Sequence, residues 1–127
     1  MLGSPAFGGK IRSLLDDPTR GIELLYIIYQ LDKSDGAEIR AANRAAHFAY
    51  LDEHEDILVL GGALLADDGV GREGSCLIVN VKSREEAARF SMNEPFRKAG
   101  LFKSVEIRRM RRGQWNPAAA PKTEEGD

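Results

Sequence analysis

The run Ile22–Leu31, IELLYIIYQL, constrains this chain more than any other stretch. In an extended chain, successive side chains point to opposite faces. Leu25, Ile27, Tyr29 and Leu31 then face one way, and Leu24, Tyr26 and Ile28 the other. A strand that is apolar on both faces must be covered on both, so it belongs in the middle of a sheet. Ser75–Val81, SCLIVNV, has the same character and is expected in the centre as well.

The elements around these two strands follow from spacing and turn chemistry. Ala37–Glu53 reads as a helix, because alanine at 37, 41, 42, 45, 46 and 49 favours it. Asp35 with Glu38 reads as a capping box at its start. Ile39, Ala42, Ala46 and Ala49 are expected to be its buried stripe, with Arg40, Arg44, His47 and Leu51 on an adjacent one. Ile57–Leu60 reads as the second strand, stopped by Gly61-Gly62, with Ala63–Ala66 as an extension past a bend. Asp67–Gly71 is a turn-rich hairpin loop. Ser83 with Glu86 is a capping box opening a second helix that runs to Met92. Pro95 bars smooth continuation, so 93–100 is expected as a turn or short irregular helix closed by Gly100. Phe102–Met110, FKSVEIRRM, alternates, and its charges suit an edge strand.

The resulting order is βαββαβ. Right-handed crossovers on an antiparallel sheet give a ferredoxin-like α+β fold with sheet order 4-1-3-2. Both apolar strands then fall in the centre and the charged strand at an edge. The two helices cover one face only, so a second copy is expected on the other, giving a homodimer that packs sheet to sheet as a dimeric α/β barrel. The domain is expected to span 21–115. Residues 1–20 read as an arm with a short helix at Lys10–Asp16, and 116–127 as a disordered tail.

Composition narrows the function classes. At 127 residues the chain fits one domain. A net charge of −2 gives no reason to expect a polyanion. Arg108, Arg109, Arg111 and Arg112 have no interleaved aromatic platform, so they read as a solvated strand end rather than a nucleic-acid surface. Trp115 after them is expected to anchor the C-terminus. Cys76 has no second cysteine to pair with and reads as a packing residue. No apolar run approaches the ~20 residues of a membrane span. The start lacks the apolar core of a secretory signal, so the expected compartment is the cytoplasm. No glycine-rich phosphate loop or dinucleotide signature is present, and no cofactor is expected.

Candidate chemistry gathers in Arg44–Gly62, RAAHFAYLDEHEDILVLGG, which carries both histidines, and in Asn93-Glu94-Pro95-Phe96. ELLYIIYQLD, the Arg44-Ala45-Ala46-His47 step, Gly61-Gly62, and NEPFRKAGLF running into VEIRRM together make residues 22–112 resemble a YciI-like (YCII-related) domain. That resemblance implies the dimeric barrel already reached and a His–Asp pair in a cleft. Many members have no established activity. One related enzyme is a dehydrochlorinase acting on a hydroxyquinone-type ring, and muconolactone isomerase shares the architecture. His47 falls at the family's histidine; Glu94 replaces the usual aspartate, one methylene further out.

A carboxylate on one ring nitrogen fixes a histidine's tautomer and raises its basicity, which suits a proton shuttle in elimination or isomerisation. His47 is then the general base, Glu94 its orienting partner, and Arg44 the cation for an anionic small-molecule substrate or developing oxyanion. The plainer alternative is a helix histidine that bonds Glu94 to pin the second helix. His54, at the helix end, reads as a solvent or capping residue. With no third ligand at a suitable spacing, no metal site is expected. Gly61 and Gly62 either bring backbone N–H groups to a ligand or form a bend. Ser75 either faces the cleft or sits in a surface turn. Tyr29 and Phe96 either line a pocket or belong to the core.

Overall fold

The computed structural model describes residues 23–124. The expected N-terminal arm and its short helix lie outside the described residues. Chain order is β1 (Leu24–Asp32), α1 (Ala37–Glu53), β2 (Leu58–Leu65), β3 (Arg72–Val81), α2 (Arg84–Met92), α3 (Pro95–Lys98) and β4 (Phe102–Met110). A single turn of 3-10 helix, Pro117–Ala119, follows in an exposed C-terminal stretch. The sheet order is β2-β3-β1-β4 and every pairing is antiparallel, which is the ferredoxin-like α+β fold expected.

Register divides the sheet into two faces. Tyr26 pairs with Val79 and Ile28 with Leu77. These four meet Val81, Ala87 and Phe90 beneath the helices as the core. Fully burying a side chain such as Ile28 contributes roughly 1.5–3 kcal/mol. Leu25, Ile27 and Tyr29, opposite Asn80, Ile78 and Cys76, point to the other face. No element covers that face within the described residues: Tyr29 is 41% exposed and Leu60 65%.

The helix ends show how local chemistry sets the elements. Ser83 caps α2 by accepting from Glu86 N, 3.2 Å. Glu86 reaches back to the N–H of Lys82 rather than that of Ser83. The expected capping box on α1 is corrected. Its N-cap is Gly36, with no side-chain cap, and a Cβ there would stand 2.6 Å from Leu101 Cδ1. Packing against Leu101 therefore selects glycine over a capping residue. α3 ends in a Schellman motif: Leu101 N donates to Phe96 O and Gly100 N to Arg97 O, with Gly100 at φ +82°.

The stripe expected to be buried on α1 is also corrected. Ala42, Ala46 and Ala49 are exposed, Ile39 alone of the stripe is half-buried, and the inward side carries Arg40, Asn43, His47, Tyr50, Leu51 and His54. The spacing is helical in both cases. What turns the polar stripe inward is that its head groups find partners: Arg40 on Asp32, His47 on Glu94, and Tyr50 on Phe90 O. Each partner offsets the desolvation that would otherwise expel the group.

Strand two does not stop at Gly61-Gly62. It pairs with β3 through Leu65, and its irregularities lie between Leu58 and Leu60 and between Leu64 and Leu65. Strand three begins at Arg72 rather than Ser75.

Candidate functional site

α1 and the Glu94–Phe96 segment are brought together at one end of the sheet. Glu94 is the N-cap of α3, and its Oε2 accepts from Phe96 N at 3.0 Å. The same oxygen stands 2.6 Å from His47 Nδ1. A carboxylate facing Nδ1 makes that nitrogen the donor, so Nδ1 carries the proton and Nε2 keeps its lone pair in the neutral ring. Glu94 is fully buried and His47 is 8% exposed. Among the described residues, the buried side-chain nitrogen and oxygen atoms without partners are Gln30 Oε1 and Glu94 Oε1. His47 Nε2 has no hydrogen-bond partner among the described residues, and the ring keeps a small exposure.

Aromatic packing fixes the ring. Phe96 stacks on His47 with centroids 4.1 Å apart and planes 15° from parallel. Arg40 stands 4.8 Å over the same Phe96 ring and is forked onto Asp32 at 2.8 and 2.9 Å. Arg40 and His47 are two helical turns apart, about 10 Å. A ring within 5 Å of each therefore fits between them, and Phe96 is a wedge held by α1 on both sides. Tyr50, on the same helix, has its phenol pushed up by burial, then by the nearby Glu94 and Glu53 carboxylates.

The other candidate residues are not gathered around His47. Arg44 is exposed, with its guanidinium 5.2 Å over Phe48. Ser75 is 4% exposed within β3, not in a surface turn, and its hydroxyl accepts from Gln30 Nε2 at 2.9 Å. Gly61 and Gly62 are paired with Leu77 and Cys76 on edge strand β2. A Cβ on Gly61 would press Leu77 Cδ2, which gives a packing reason for that glycine. His54 is the C-cap of α1 and donates Nδ1–H to Tyr50 O. Phe96 is core rather than pocket wall, while Tyr29 lies on the open sheet face. Among the described residues, no three His, Cys, Asp or Glu side chains cluster as a metal requires. No helix among them is long and apolar enough to cross a membrane.

Sequence reasoning missed the Asp32–Arg40 pair and the buried Gln30. The available signal was the seven-residue spacing of Arg40 and His47, which places both on one helix face.

A four-stranded antiparallel sheet with helices on one face and a buried His–carboxylate pair at its end defines a ferredoxin-like α+β protein with a histidine site. The chain belongs to the YCII-related domain family, whose match spans residues 24–111. It is 33% identical over 92 residues to Protein YciI of Escherichia coli O6:H1, covering 67% of this chain and 94% of that protein. Protein YciI of Shigella flexneri matches to the same extent. Among solved structures it is similar to 5-chloro-2-hydroxyhydroquinone dehydrochlorinase from Burkholderia phenoliruptrix in complex with 2,5-dihydroxybenzoquinone. That likeness has 35% identity and a TM-score of 0.63, and covers 69% of this chain and 94% of the other.

Proposed function

We propose that this protein is a small cofactor-independent lyase or isomerase in which His47 Nε2 takes and returns a proton. The observation that carries this reading is the 2.6 Å contact between His47 Nδ1 and Glu94 Oε2. Glu94 fixes the tautomer, Phe96 fixes the ring plane, and Nε2 is left open. In an elimination the proton passes to Nε2, the electron pair left behind forms a π bond, and the leaving group departs with its own bonding pair. That balance needs no electron acceptor. Arg44 is the cation available to an anionic substrate at the edge of this site, while Ser75, Gly61 and Gly62 shape the sheet beneath rather than touch the reacting atoms.

The similarity to a dehydrochlorinase makes halogenated hydroxyhydroquinones the first substrates to test. Chloride release from 5-chloro-2-hydroxyhydroquinone is measured with wild type and His47→Gln. Loss of a general base is expected to lower the rate by about 10²–10⁴-fold. Equal rates in the two proteins, or no turnover of any halogenated hydroquinone, would favour a non-catalytic ligand-binding domain.

The protein is also inferred to act as a homodimer joined through its open sheet faces. Ile27, Ile78, Leu60 and Met110 form an apolar surface of a kind that lone soluble domains rarely leave in water.

A further inference from the structure

We propose that a second site, distinct from His47, binds an oxyanion: the carboxylate or phosphate group of a small molecule. A cavity of about 490 Å³ opens between the end of β1, the first two turns of α1 and the start of β3. Its walls carry Lys33, Arg40, Arg44 and Arg72 against one acid, Asp32. Four cations and one carboxylate thus converge in a chain whose net charge is −2. Both oxygens of Asp32 are engaged by the Arg40 fork. Lys33, Arg44 and Arg72 have no acidic partner among the described residues. Asp35, Glu38 and Glu73, which lie near these cations in sequence, are exposed and line no part of the cavity.

This arrangement is unfavourable without a ligand. Arg40 and Arg44 are like charges at i and i+4 on one helix, which repel. The N-terminal end of α1, which borders the same cavity at Gly36 and Ala37, adds the positive end of the helix dipole. The first-turn N–H groups of α1 have no side-chain cap, because Gly36 is held as glycine by Leu101. A single oxyanion relieves all three effects: it offsets the repulsion, matches the dipole and accepts from the free N–H groups. Arginine's planar fork suits carboxylate and phosphate alike, in two parallel hydrogen bonds.

The site goes beyond the proton-transfer reading and does not depend on it, since His47 does not line the cavity. The two share Arg44, one turn before His47, and are joined also through Arg40, which borders the cavity and packs on the Phe96 ring covering His47.

The test is an NMR titration of the full chain at low ionic strength with inorganic phosphate and, separately, acetate. Saturable shifts of the Gly36 and Ala37 amides are expected with at least one of them. Saturation by phosphate alone identifies phosphate esters as the ligand class; saturation by both extends it to carboxylates. Arg44 and Arg72 are exposed, so Arg44→Gln and Arg72→Gln should fold normally. Each is expected to weaken binding about tenfold, as loss of one charge-assisted contact does. His47→Gln should leave the affinity unchanged. Shifts that never saturate, affinity that survives both arginine substitutions, or binding lost in His47→Gln would each overturn the site.

Discussion

The Phe96 ring lies flat against the His47 imidazole, 4.1 Å from centroid to centroid. Glu94, two residues earlier, bonds the edge of that imidazole. One short segment therefore fixes both the plane and the tautomer of the histidine. Phe96→Leu keeps apolar volume but removes the flat surface, and Glu94 alone then restrains the ring. The expected result is a broadened or averaged ¹⁵N ring spectrum for His47, where wild type shows the Nδ1–H form. If the His47 ring signals are the same in both proteins, the stack does not position the ring.

The open sheet face carries the prediction on assembly. Ile27 is at its centre, opposite Ile78 on β3 and Arg108 on β4. Ile27→Asp would place a carboxylate where apolar surfaces are inferred to meet. Light scattering should give twice the 14.0 kDa chain mass for wild type and the single-chain mass for the variant. Cys76, on the same face, reports independently, because burial already pushes its thiol up. Alkylation of Cys76 should be faster in the Ile27→Asp monomer than in wild type. A wild-type protein of single-chain mass at micromolar concentration would rule out the dimer.

Sheet order was legible because two strands are apolar on both faces and one is charged, and burial alone sorts them. The helix stripe was not legible for the opposite reason. Burial of Arg40, His47 and Tyr50 depends on Asp32, Glu94 and the Phe90 carbonyl, each distant in sequence. Alanine looks apolar in a pattern yet loses little when left in water, so Ala42, Ala46 and Ala49 are outvoted by larger side chains with partners. The missing cap on α1 had a similar cause: Asp35 and Glu38 have suitable chemistry, but Leu101 decides which residue occupies the N-cap. The His47–Glu94 pair was legible through the family resemblance, and its geometry follows from Glu94 being a helix cap.

Tyr50 gives a pH dependence with a definite sign. Burial, and then Glu94 and Glu53, raise its phenol above the usual value of 10.0. A group with a raised folded pKa binds its proton more tightly when folded, so its contribution is complete below the unfolded pKa and is lost as pH climbs through the folded one. Tyr50→Phe removes the hydrogen bond to Phe90 O and should lower stability by about 1 kcal/mol near pH 8. Above pH 10 that gap should narrow, because wild type alone loses the Tyr50 contribution. Urea unfolding of both proteins between pH 8 and 11 checks this, and a constant gap would show that Tyr50 is not what titrates.

Gly74 marks the closest backbone approach in the sheet. A Cβ there would overlap the Gln30 carbonyl of the neighbouring strand, and neither backbone can yield without breaking the β1–β3 ladder. Gly74→Ala should therefore cost at least about 3 kcal/mol, the upper range for overpacking. Gly62→Ala, on the next strand, meets nothing within 4 Å in its own chain and serves as the control; although it lies on the face inferred to pair, it should cost far less than Gly74→Ala. Thermal unfolding of the two variants separates close approach from a general intolerance of side chains in the sheet.

Glu94 serves two donors through one oxygen, and its other oxygen is buried without a partner. Substitutions should therefore not follow size. Glu94→Ala removes the α3 cap, typically ~1 kcal/mol, and strands the His47 Nδ1–H. Glu94→Gln is nearly isosteric and can still accept from Phe96 N and His47 Nδ1 through its carbonyl. Its amide nitrogen, however, would occupy the partnerless position, burying N–H donors at a cost of about 1–3 kcal/mol. A double-mutant cycle isolates the contact itself. His47→Ala and Glu94→Ala, singly and together, should show a coupling of about 1.5–3 kcal/mol in urea unfolding, the range for hydrogen bonds to charged groups. A coupling near zero would mean that the buried pair contributes nothing net. Glu94 would then hold α3 alone, and the tautomer of His47 would have to be set by something other than the carboxylate beside it.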